Sequence, residues 1–185
     1  MDCMESRRQA ESNSRTLASE ELRVSAIVDA LGMPMHEKIV HLVSLLRHLG
    51  WDTTASCSGH ATRATAGPYV IIRSPAAHWH YASTDPRNEN RMRESTNVTM
   101  RQAAPLLKIV ESHNASAPAG APLLELRHVG HAHVRLCFVN CDFDRLRSES
   151  EMRKVLEQRR AEIDRLAAAL ERIALSSVPL IPERR

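Results

Sequence analysis

Between Thr53 and His60 the chain reads Thr-Thr-Ala-Ser-Cys-Ser-Gly-His, placing hydroxyls, a thiol, a glycine and an imidazole side by side. Each type suits a chemistry. Gly59 lets the backbone turn sharply or approach a ligand closely. The hydroxyls of Ser56 and Ser58, with nearby backbone N–H groups, match the needs of a phosphate, a carboxylate or a base edge. Cys57 is a nucleophile where His60 lowers its pKa, which makes Cys57 and His60 the candidate catalytic residues. As a binding pocket the set is Ser56, Cys57, Ser58, Gly59 and His60, with His133 as a wall residue. Cys57-x-x-His60 is also half of a zinc-site spacing. His131-x-His133 is a candidate closing pair, because i, i+2 residues of a strand face one way, and His78-x-His80 is another. Cys137-x-x-x-Cys141 fits less well, with Cys137 inside a strand and Cys141 beyond it. A cysteine-protease reading lacks an orienting Asn or Asp. Three readings stay open: a plain strand-to-loop turn, a small-ligand or nucleic-acid pocket, and metal or thiol chemistry.

Other polar clusters are more diffuse. Arg87, Arg91, Arg93 and Arg101 have the charge to follow a phosphate backbone, but Asp85, Glu89 and Glu94 dilute them, which favours a solvated loop. Trp79, between His78 and His80 and next to Tyr81, lines a pocket mouth or covers a sheet edge. Two Trp, two Tyr and two Phe leave little material for base stacking. The alternating face Glu125, His131, His133, Arg135 is either solvated or the wall of the pocket at Cys57.

The elements that must hold these residues follow from periodicity. Residues 1–15 are charged and Ser-rich and read as disordered. A modest helix runs from Thr16 to Gly32. Pro34 suits a first helical position, and Met35, Ile39, Leu42, Val43, Leu46 and Leu49 form one stripe ending at a Gly50 cap. The opposite stripe, Glu37, His41, Ser44 and His48, reads as solvated. Trp51–Cys57 and Pro68–Arg73 read as strands, the second an inner one. Residues 74–104 read as an irregular, Arg-containing insertion, with a helix starting at Pro105.

Leu124 and Leu126 alternate with Glu125 and Arg127; Ala132, Val134, Leu136 and Phe138 alternate with His131, His133, Arg135 and Cys137. A three-residue turn at His128-Val129-Gly130, with Gly130 left-handed, pairs Leu126 with Ala132 and Leu124 with Val134. It also pairs Arg127 with His131 and Glu125 with His133. Ser148 and Glu151 form a capping box for a helix over 148–175, striped by Met152, Leu156, Ile163, Leu166, Leu170 and Ile173 and interrupted by Arg159. At 1.5 Å per residue that helix reaches about 40 Å, so its far end is expected to pack on a second copy or project. Residues 176–185 read as a flexible tail.

The order α-α-β-β-α-β-β-α predicts an α+β domain over 16–175, with a mostly antiparallel sheet of about four strands and helices on one face. The chain has 185 residues, 43% of them hydrophobic, which excludes wholesale disorder. No apolar run reaches the roughly 20 residues of a membrane-spanning helix. The start Met1–Arg8 lacks a secretory h-region, so a cytoplasmic location is expected. A formal charge of +3 names no partner, and 25 Lys+Arg with three lysines reflect codon usage as well as function. Four cysteines, Cys3, Cys57, Cys137 and Cys141, are too few and too scattered for a disulfide scaffold.

Two resemblances attach to the central loop. Thr54-Ala55-Ser56-Cys57-Ser58-Gly59-His60, followed by Pro68-Tyr69-Val70, resembles a group of small uncharacterised bacterial and phage proteins, which implies no activity. More distantly, Ser56-Cys57-Ser58-Gly59, with its preceding helix and strand and the later hairpin, resembles the wybutosine-synthesis tRNA methyltransferase family over about residues 34–174. That family modifies tRNA with S-adenosylmethionine; here His60 stands where its motif has Arg. The resemblance implies an RNA-binding or RNA-modifying protein. Two alternatives stand beside it. One is a zinc- or small-ligand-binding accessory protein using Cys57 and His60 with His131 and His133. The other is a homodimer built on Ser148–Leu175.

Overall fold

The computed structural model describes residues 3–28, 34–62, 67–77, 87–130, 132–141 and 147–176. Its elements are α1 (Cys3–Ser25), α2 (Glu37–His48), β1 (Asp52–Cys57), β2 (Tyr69–Arg73), α3 (Arg87–Ala115), β3 (Leu124–His128), β4 (Val134–Phe138) and α4 (Glu149–Leu175). The four strands form one antiparallel sheet in the order β1-β2-β4-β3. The α+β class and the element order are those the sequence predicts.

Val70 and Ile72 of β2, Leu124 of β3 and Val134, Leu136 and Phe138 of β4 point into one core with Leu42, Leu45 and Leu46 of α2 and Ile163, Leu166 and Leu170 of α4. Leu17 and Val24 of α1 and Leu106 and Val110 of α3 complete it. Alternation therefore gives the sheet one face under helices and one face on which no helix of the described residues packs. Burial of this apolar surface is the main term holding the fold together.

The helices differ from expectation in instructive ways. Glu37, not Pro34, opens α2, because the His36 ring caps it by accepting from the Lys38 N–H at 3.3 Å. Of the stripe expected to be solvated, Glu37 is exposed, His41 and His48 are half-buried, and Ser44 is buried. Ser44 is fully buried, its hydroxyl donating to the Val40 carbonyl at 2.8 Å. His41 sits between Glu21 (2.5 Å) and Glu171 (3.8 Å), and Arg47 pairs with Glu20. These polar ties help hold α1, which runs from Cys3 through the segment expected to be disordered and whose buried apolar side chains, among those described, are Leu17 and Val24. The expected end of that helix at Leu31-Gly32 lies outside the described residues.

The expected insertion over 74–104 is largely helical: α3 spans Arg87–Ala115 and carries Pro105 in its interior. Its inward stripe is Ser95, Thr99, Ala103, Leu106, Val110 and His113, half of it polar, which hides the period from a hydrophobic reading. The polar members hold loops. Thr99 Oγ1 accepts from the Ser74 N–H at 3.2 Å, and His113 meets Glu162 of α4 at 3.1 Å. Beside that stripe Thr96 Oγ1 accepts from the Ala132 N–H, also at 3.1 Å.

The β3–β4 register also needs correcting. Leu124 pairs with Phe138, Leu126 with Leu136, and Arg127 with Arg135. Gly130 is left-handed (φ +86°), as expected, but Ala132 is too (φ +65°), so the loop is longer and strand β4 starts at Val134. The error is an even number of residues, so the side chains of 124–127 and 134–138 keep their predicted faces, while Ala132 and His133 fall in the turn. In α4 the Ser148–Glu151 capping box is present. Its stripe is buried from Met152 (2% exposed) to Ala174 (4%), and from Ile163 onward it lies in the chain's own core, so the helix leaves no overhanging apolar end of the kind that argued for a dimer.

Candidate functional site

The Ser56–His60 loop is a clasp. Arg160 of α4 donates from Nε to the Ser58 carbonyl at 3.0 Å and from Nη2 to the Gly59 carbonyl at 3.1 Å. Gly59 is left-handed (φ +82°), and its N–H turns back to the Cys57 sulfur at 3.3 Å. Ser58 is 2% exposed, and its hydroxyl meets no partner among the described residues. The neighbouring Gly67 gives room to Arg159: a Cβ there would lie 2.8 Å from Nη1 and push the guanidinium, which crosses the Phe138 ring at 5.3 Å. Both carbonyls and the Gly59 N–H are thus used within the chain.

The register separates the residues proposed as partners of this loop. Cys57 pairs with Tyr69, at the start of β2, whereas Val134 pairs with Ile72 near its end. His133 precedes Val134 and lies in the turn, its N–H donating to the Gly130 carbonyl at 3.0 Å. His133 is thus at the opposite end of the sheet from Cys57 and His60. Among the described residues no three His, Cys, Asp or Glu side chains are placed to hold a metal. His131, and the group His78, Trp79, His80 and Tyr81, lie outside the described residues. Arg91, Arg93 and Arg101 are exposed on α3, and Arg93 faces Glu89 at 3.6 Å.

What the loop does adjoin is the face of the sheet opposite the helices. Two rows cross it: Cys57, Tyr69, Cys137 and Glu125 at the loop end, then Ala55, Ile71, Arg135 and Arg127. Beyond them Asp52 and Arg73 pair at 3.1 Å. Arg127 pairs with Glu125 at 2.5 Å. Arg135 differs. No carboxylate among the described residues pairs with it, its Nε is buried without a hydrogen-bond partner, and its guanidinium carbon lies 4.2 Å from the centroid of the Tyr69 ring. An unsatisfied buried donor of a charged group costs about 1–3 kcal/mol or more. A like-charged cross-strand partner, Arg127, adds a further penalty of roughly 0.2–1 kcal/mol.

Cys137 is a poor nucleophile on this face. A hydrogen bond with the Cys141 thiol, burial and the Glu125 carboxylate push its thiol well above the ordinary cysteine range, against the opposing pull of Arg135. Cys57 is half-buried at the face's edge.

The central residues of this face are thus not the ones the loop motif singles out. Arg127 and Arg135 are visible in the sequence as the polar half of an alternating hairpin, but their adjacency needs the true register. Tyr69 reads only as part of an apolar strand. Arg160 carries no sequence signal, being one arginine among several on α4. No helix among the described residues is long and apolar enough to cross a membrane. No family model, curated protein or solved structure matches the chain.

Proposed function

We propose that the protein binds RNA, and that the helix-free face of the sheet is its binding surface. The observation that carries the reading is Arg135, a half-buried guanidinium at the centre of that face with no carboxylate partner among the described residues. Arg127 is its direct cross-strand neighbour and Arg73 lies diagonally across β2. Among the described strand residues of this face, three arginines stand against Asp52 and Glu125, a net charge of plus one (three minus two). An arginine held in a planar, bidentate-capable fork suits phosphate better than a lysine would. A phosphate at the edge of the Arg135 guanidinium would give that charge a counterion and relieve the repulsion from Arg127.

The loop's contribution is to fix the edge of this surface. Arg160 holds the turn after β1 in place, which sets Cys57 beside Tyr69. The zinc reading has no comparable support, since the register places His133 at the far end of the sheet. The test is a titration of a labelled single-stranded RNA octamer at low salt, repeated as salt is raised. Binding whose log K falls with log salt at a slope of about −1 to −2, as expected for two or so phosphates, supports the reading. No binding at tens of micromolar protein overturns it.

A further inference from the structure

We infer that Arg135 and Tyr69 together form a stacking platform for one unpaired base, so that the face selects single-stranded RNA over duplex. The inference rests on the RNA-binding reading above and adds what the ligand presents to the protein besides phosphate.

The geometry has three parts. First, the Arg135 guanidinium lies over the Tyr69 ring at 4.2 Å from its centroid, a cation–π contact that fixes the orientation of a side chain otherwise free to rotate. Guanidinium planes are stacking partners for nucleobases as aromatic rings are, and one already backed by a ring is preorganised for that role. Second, the same row has an apolar half. Ile71, directly paired with Arg135, and Ala55, paired with Ile71, occupy positions that on a solvated sheet face would carry polar side chains. A base lying on Ile71 and Arg135 would cover the part of the half-buried Ile71 that stays exposed. Third, the charges lie to the side of that floor, with Arg127 on the outer strand β3 and Arg73 along β2. A strand can thus set a base at the centre and its phosphates at the rim.

Four strands span about 14 Å at the usual inter-strand spacing, room for two or three nucleotides. Duplex RNA keeps its bases stacked inside and offers this floor nothing to stack. Phosphate attraction alone would give the opposite preference, because a duplex carries more charge per length.

The experiment compares three labelled probes at one low salt concentration: a single-stranded RNA octamer, a blunt duplex of the same length, and an abasic ribose-phosphate octamer. Anisotropy titrations with wild-type protein are expected to give binding of the based single strand at least fivefold tighter than either of the others, the lower end of what one stacked base contributes. Tyr69→Leu is expected to weaken the based strand fivefold or more and leave the abasic one unchanged, while Tyr69→Phe, which keeps the ring, behaves as wild type. Equal affinity for based and abasic strands, or tighter binding of the duplex, overturns the platform while leaving RNA binding intact. Failure of all three probes to bind overturns both. Should Tyr69→Leu not fold, the wild-type comparison of based and abasic strands decides the question alone.

Discussion

Arg127 and Arg135 are direct cross-strand partners in the β3–β4 hairpin, two like charges side by side on the face of the sheet that no helix covers. A surface shaped only for stability would place an acid or an apolar residue opposite Arg127. The Arg135→Thr variant is therefore expected to unfold in urea with a stability within about 0.5 kcal/mol of wild type or above it, since it removes the repulsion and the buried donor together while giving up the ring contact. A loss of more than about 2 kcal/mol would make Arg135 a structural residue.

Arg160 is expected to matter for the opposite reason. Replacing it with Ala frees the Ser58 and Gly59 carbonyls, both on buried residues, and loses two charge-assisted hydrogen bonds. Urea denaturation of Arg160→Ala should show a loss of about 2–4 kcal/mol, larger than that of Arg153→Ala, whose partner Glu149 is exposed. Equal losses would mean that the loop does not depend on this clasp.

Pro105 lies inside α3 on its exposed side. A proline in a helix interior removes one backbone hydrogen bond and crowds the preceding turn, costing about 3 kcal/mol in an ideal helix. Pro105→Ala should raise stability by about 1–3 kcal/mol, read as a higher urea midpoint at unchanged m. A decrease would show that the proline bends α3 onto the sheet to the benefit of the core.

The thiols should separate in reactivity. With Cys141 hydrogen-bonded beside it and Glu125 near, Cys137 stays protonated through mildly alkaline pH, and it is 1% exposed. Iodoacetamide applied to native protein at pH 8, followed by peptide mapping, should modify half-buried Cys57 well before Cys137. Cys137 should label at a comparable rate only after unfolding. Early modification of Cys137 in the native state would contradict the packing described at the loop end of the sheet.

Much of the architecture is legible in the sequence because it rests on strong, local signals. Alternation in Leu124–Arg127 and Val134–Phe138 yields the two faces, and the Ser148–Glu151 box yields the start of α4. What the sequence hides is held by polar side chains at long range. Segment 3–15 reads as unstructured because α1 relies on Glu20, Glu21 and Asn13 reaching partners elsewhere, the last bonding the Ala174 carbonyl at 3.1 Å. The first part of α3 reads as a loop because Ser95 and Thr99 occupy core positions.

The site is less legible than the fold. Ser56–His60 stands out by composition, yet Arg160, more than 100 residues later in the chain, turns its carbonyls inward. The Arg127–Arg135 adjacency depends on a register that differs from the simplest turn by an even number of residues. Such a shift leaves the faces intact and changes only which residues meet.

The most direct test of RNA binding by the sheet face is the affinity of Arg135→Gln for the single-stranded RNA octamer, measured beside wild type by anisotropy over a range of salt. The account predicts about tenfold weaker binding at low salt and a salt slope smaller in magnitude by about 0.7, the share of one phosphate on a single strand, with no loss of fold by circular dichroism. Equal affinity and an equal slope for the folded variant would contradict it.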